Sequence, residues 1–111
     1  NFRKLDVYQF AVRFLPLATA IADHLPPRYA ALGDQLRRAS LSIPLNIAEG
    51  SGKSTGPDPR RFHAMARGSA MECAAILDAG RVLALLEEAR AEEADQLLLS
   101  TVRMLSKMCR L

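Results

Sequence analysis

Residues 35–52 read QLRRASLSIPLNIAEGSG, and two patterns are superimposed in them. Leu36, Ala39, Ile43 and Ile47, with Leu32 upstream, recur at steps of three and four, the spacing that lines one face of an α-helix. Leu41, Leu45 and Ala48 recur at the same steps almost diametrically across the helix. One bundle core covers only one of those faces. The second is either a scatter of surface hydrophobes, which every protein carries, or a seam between subunits; three residues in register on a helix already buried from the other side favour the seam. A third face holds Arg38, Ser42, Asn46 and Glu49, either a solvated row or a hydrogen-bonded network with a neighbouring chain. Pro44 lacks an amide donor, yet the apolar stripe continues in phase beyond it. The expectation is one helix from about Ala30 to Glu49, kinked at Pro44 and closed by Gly50.

Working outward, Val7, Phe10, Phe14, Leu17, Ile21 and Leu25 predict a first helix from about Asp6 to His24, with Pro16 inside it and Pro26-Pro27 ending it. Residues 50–59, GSGKSTGPDP, are loop chemistry, and Asp58 followed by Pro59 is a cap and first-turn pair. A third helix then runs to about Leu86 through Phe62, Ala66, Ser69, Cys73, Ile76, Leu77, Gly80 and Ala84. Glu87 to Ala91 reads as an acidic turn, and the last helix carries Leu97, Leu98, Val102, Leu105 and Cys109. Four amphipathic helices with short connections predict an all-α fold, an antiparallel up-down-up-down four-helix bundle occupying residues 1–111 as a single domain.

Composition agrees. Half of the 111 residues are hydrophobic and only 5% are aromatic, with Ala and Leu dominant, which suits helices rather than strands. Cys73 and Cys109 have no CxxC spacing and read as buried small hydrophobes in a reducing compartment. With no apolar run near the ~18 residues of a membrane span and no signal-peptide pattern at the first residues, a cytoplasmic location is expected.

The sequence offers little to catalysis. Gly52-Lys53-Ser54 imitates the end of a phosphate-binding loop, but the position of that motif's first glycine is Ile47 and a helix, not a strand, precedes it. His24 and His63 stand in no metal-ligand spacing, and His63 falls with Arg60 and Arg67 on one side of a helix. Glu49 and Glu72 are read as ion-pair partners of Arg37, Arg38 or Arg67 rather than as an acid/base pair. No nucleophile is matched to a base. A non-enzyme without metal or cofactor is expected.

Gln35, Arg37, Arg38, Ala39, Ser42, Ile43, Pro44, then Asn46, Ile47, Ala48, Glu49, Gly50 and finally Gly52 resemble the pattern QxRRAxxSIPxNIAEGxG of the four-helix bundle proteins encoded in intervening sequences of bacterial 23S ribosomal RNA genes. A second block, Phe62 with Ala66 to Ala70 and Glu72, is similar to that family, as is a first, Leu5 with Val7, Tyr8 and Gln9. The resemblance covers essentially the whole chain. It implies a closed bundle that assembles as a ring, typically a pentamer, with a basic surface for nucleic acid. Relatives act as accessory proteins of diversity-generating retroelements, where the partner is a reverse transcriptase with its RNA. The chain departs from the pattern at Pro57-Asp58-Pro59 and at Lys53, which Ser and Thr follow in place of a basic run.

The formal charge is +3, and it is unevenly placed: between Pro26 and Ala70 lie seven cations (Arg28, Arg37, Arg38, Lys53, Arg60, Arg61, Arg67) against Asp34, Glu49 and Asp58. Acidic residues gather at Glu87 to Asp95. Repeated around a ring, such a patch would act on a phosphate backbone as one field. The first expectation is therefore a homo-oligomer that binds structured RNA or other nucleic acid through Lys53, Arg60, Arg61 and Arg67, with Arg37 and Arg38 either joining them or pairing with Glu49. The second is a scaffold that presents the same patch to a protein such as a polymerase.

Overall fold

The computed structural model of the chain describes residues 1–52 and 59–109. Four α-helices account for most of them: α1 Asp6–Asp23, α2 Ala30–Ser51, α3 Pro59–Val82 and α4 Glu88–Cys109. Short 3-10 turns precede α1 (Phe2–Lys4) and α2 (Pro27–Tyr29). Each helix packs on its neighbours in chain order and α4 returns to α1, which closes an antiparallel bundle about 45 Å long and 22 to 23 Å across.

Helical spacing decides what is inside. Val7, Ala11, Phe14, Ala18 and Ile21 of α1 are buried, as are Leu36, Ala39, Ile43 and Ile47 of α2. From α3 come Ala66, Ala70, Cys73 and Leu77, and from α4 Ala91, Ala94, Leu98 and Leu105. Each fully buried Leu, Ile or Phe stabilises the bundle by about 1.5–3 kcal/mol, while the alanines keep the helices close together. The two buried hydroxyls are satisfied within their own helices, Ser40 donating to the Arg37 carbonyl at 2.9 Å and Thr101 to that of Leu97 at 2.7 Å. α1 runs through Pro16 and α2 through Pro44 without a break.

Helix ends differ from the sequence reading in three places. Gly50 does not close α2. The helix continues to Ser51 with Gly52 as its cap, and Gly50 is needed inside because α3 crosses it closely: a Cβ there would lie 2.8 Å from His63 Nε2 and 3.0 Å from Phe62 Cβ. α3 stops at Val82, not near Leu86. The Ala84 amide bonds to the Arg81 carbonyl and the Leu85 amide to that of Gly80, with Ala84 held at φ 57°. This is a Schellman ending with alanine where glycine is usual. The chain then folds back so that Leu86 lies over Gly80, where a Cβ would meet it at 2.8 Å. Finally, Glu88 to Ala91 is no turn but the start of α4, Ala91 being fully buried; acidic residues there complement the positive helix end. Asp58, expected to cap α3, lies outside the described residues, and Pro59 is the first residue of that helix.

Candidate nucleic-acid interface

Because the helices alternate in direction, each end of the bundle collects residues from distant parts of the chain. The start of α1, the end of α2, the start of α3 and the end of α4 share one end. Contacts fix this: Gly50 against Phe62 and His63, Arg67 Nε donating to Ser106 Oγ at 2.7 Å, and Cys109 Sγ 3.9 Å from the Arg60 carbonyl oxygen. Among the described residues this end carries Arg3, Lys4, Arg13, Arg60, Arg61, Arg67, Arg103 and Lys107 against Asp6 and Glu49. The opposite end holds Arg28, Arg37, Arg38, Arg81 and Arg90 against nine carboxylates, Asp23, Asp34, Glu72, Asp78, Glu87, Glu88, Glu92, Glu93 and Asp95. The bundle is therefore polarised along its length.

Local chemistry sharpens the contrast. Arg81, three-quarters buried, bridges Asp95, Glu88 and Glu92, and its hydrogen bond to Asp95 is the main cause of a pKa raised above the usual guanidinium value. Arg37 spans α1 and α2 by pairing with Asp23 and, at 3.1 Å, with Asp34. At the basic end, Arg3, Lys4, Arg61, Arg103 and Lys107 make no ion pair among the described residues. Arg61 instead lies over the Phe62 ring at 5.1 Å, keeping its charge exposed.

The residues singled out from the sequence separate accordingly. Arg60, Arg61 and Arg67 lie together at the basic end; Lys53 lies outside the described residues. Arg37 does not join them, since two carboxylates hold it at the acidic end. Nor can Arg37 or Arg38 pair with Glu49, because an unbroken helix puts roughly 16 Å or more between them. Arg38 lines an open cleft of about 350 Å³ between α2 and α3 with Gln35, Ser42, Ser69 and Glu72. There Glu72 accepts from the Gln35 amide at 3.2 Å, in place of the arginines considered for it.

Ser42 and Asn46 complete a hydrogen-bonded seam within the chain: Asn46 Nδ2 donates to the Ser42 carbonyl at 2.9 Å and reaches its hydroxyl at 3.0 Å, and that hydroxyl lies 2.8 Å from Ser69 Oγ. Pro44 is buried, Gly50 is the crossing point, and Glu49 is exposed beside it. Leu41 and Leu45 are 49% and 59% exposed and Ala48 is half-buried, all turned from the core of their own chain. Arg3, Lys4, Arg103 and Lys107 did not emerge from the sequence reading. Arg103 and Lys107 do show the four-residue spacing of one helix face, but only the antiparallel return of α4 brings them to Arg60 and Arg61.

No group of three or more His, Cys, Asp or Glu side chains that could hold a metal ion occurs among the described residues. Burial pushes the Cys73 thiol up to about 12. Cys109 is half-buried rather than buried, and its thiol is also raised, by desolvation that outweighs Arg67. No helix among the described residues is long and apolar enough to cross a membrane.

No curated protein matches the chain. The family model described as 23S rRNA-intervening sequence protein matches residues 3–107. That span takes in both ends of the bundle and all four helices as far as Lys107, and the chain belongs to the 23S rRNA-intervening sequence protein family.

Proposed function

We propose that the chain is a non-catalytic subunit of a homo-oligomeric ring, a pentamer by resemblance to its family, that binds structured RNA or another nucleic acid through phosphate contacts. The observation that carries this reading is the segregation of charge along the bundle, with eight cations against two carboxylates among the described residues at one end. In a ring whose subunits all point the same way, those ends form one rim, and phosphates meet several copies together. Arg60, Arg61, Arg67, Arg103 and Lys107 are the contacts proposed, joined by Lys53 from the sequence. Leu41, Leu45 and Ala48 supply the subunit seam. Cations that touch only phosphate confer affinity without sequence readout.

The test is a titration of a labelled structured RNA at several salt concentrations. Binding weakens steeply with salt, and Arg61→Ala lowers the slope of log affinity on log salt by about one ion. A slope near zero would refute the reading. Recovery of one protein partner from nuclease-treated extract, with no RNA affinity in the titration, would favour the scaffold in its place.

A further inference from the structure

The α1–α2 pair and the α3–α4 pair form opposite faces of the closed bundle, and each carries an exposed apolar surface of a different shape. On α2, Ser42 and Asn46 mark the flank turned to α3, and Arg37, pairing with Asp23, marks the flank turned to α1. Leu41 and Leu45 project between those flanks, away from the core, as a ridge. Across the molecule, α3 and α4 leave a largely apolar groove of about 260 Å³ lined by Met71, Ala75, Leu99 and Val102, with Asp78 and Asp95 at the end nearer the acidic pole, Asp95 being held by Arg81. Met71 and Leu99 stand 47% and 58% exposed on it. A cavity of about 150 Å³ admits a benzene ring, so the groove has room for branched aliphatic side chains.

The charges beside the two surfaces are complementary. Arg38, one turn before Leu41 and Ser42, makes no ion pair among the described residues, and neither does Asp78, one turn after Ala74 and Ala75. A convex and a concave surface on opposite faces of one chain cannot satisfy each other within that chain. They match between successive copies. An association of this kind is head to tail, and it closes into a ring when the rotation between copies allows.

We propose that Leu41 and Leu45 of one subunit seat in the α3–α4 groove of the next, with Arg38 beside Asp78, so that each chain uses one face as ridge and the opposite face as socket. This rests on the self-assembly reading above and adds the acceptor surface and the polarity of the contact.

The experiment is light scattering on the whole chain and on two variants at exposed positions, Leu45→Asp on the ridge and Leu99→Asp in the socket, each checked for unchanged helicity. Each variant alone is expected at the subunit mass of 12.2 kDa. Mixed, they are expected to give a species of twice that mass, because the intact ridge of the Leu99→Asp chain fits the intact socket of the Leu45→Asp chain and nothing is left to extend it. Exchanging charges is a second readout: Arg38→Asp or Asp78→Arg alone reduces assembly at least tenfold in dissociation constant, and the two together restore it. If the unmutated chain assembles but Leu99→Asp leaves its mass unchanged, or if the mixture stays monomeric, the socket is wrong while self-assembly stands. A 12.2 kDa mass for the unmutated chain would overturn self-assembly itself, and the socket with it.

Discussion

Arginine does different things at the two ends of this bundle. At the acidic end Arg81 ties the close of α3 to the first turns of α4, and Arg37 ties α2 to α1. At the basic end Arg61, Arg103 and Lys107 make no ion pair among the described residues. The same residue type is a structural tie where carboxylates surround it and an available charge where they do not. Counting arginines along the chain conflates the two, and geometry separates them.

Both ends depend on a middle layer that stays uncharged, and perturbing it has the largest expected effect. Cys73 is fully buried and its thiol is pushed up to about 12 from the ordinary 9.0. The folded state therefore prefers the neutral thiol: its contribution to stability is complete below pH 9.0 and is lost as pH rises toward 12. Urea denaturation across that window should show stability falling by about 1.4 kcal/mol per pH unit relative to Cys73→Ala measured alongside. Parallel slopes for the two chains would remove this account of the core.

Next comes the crossing at the basic end. Gly50→Ala puts a methyl where His63 and Phe62 leave no space, and a cost of about 1–3 kcal/mol is expected in the same assay. At the acidic end the backbone already bears strain, with Ala84 in the left-handed region. Ala84→Gly should raise stability by about 1 kcal/mol, so the two glycine changes act in opposite directions at opposite ends. The smallest effect sharpens the contrast itself. Arg61→Ala and Arg103→Ala should leave stability within about 0.5 kcal/mol, whereas Arg81→Ala lowers the denaturation midpoint and does so less in high salt.

The sequence made the fold legible because its apolar stripes are unbroken: Leu36, Ala39, Ile43 and Ile47 are all buried, and α2 runs through Pro44. It misplaced the end of α3 because Gly80, Ala84 and Leu86 continue a helical spacing, while the backbone turns at Ala84 so that Leu86 covers Gly80. Glu87 to Ala91 reads as a turn by its acidity alone, although the same acidity favours a helix start. Of the proposed interface, Arg60, Arg61 and Arg67 were visible as neighbours on one helix. Arg103 and Lys107 were not, because what joins them to the others is a tertiary return across the bundle. Arg37, read as either joining that group or pairing with Glu49, does neither, for the same reason: its partner Asp23 lies on another helix.

The polarity of the bundle is tested most directly by comparing RNA affinity after removing charges from each end at one fixed salt concentration. Arg61, Arg103 and Lys107 changed together to Ala should weaken binding at least tenfold, while Arg28 and Arg90 changed together to Ala should weaken it less than twofold. Equal losses from the two ends, or a greater loss from the acidic one, would contradict the account.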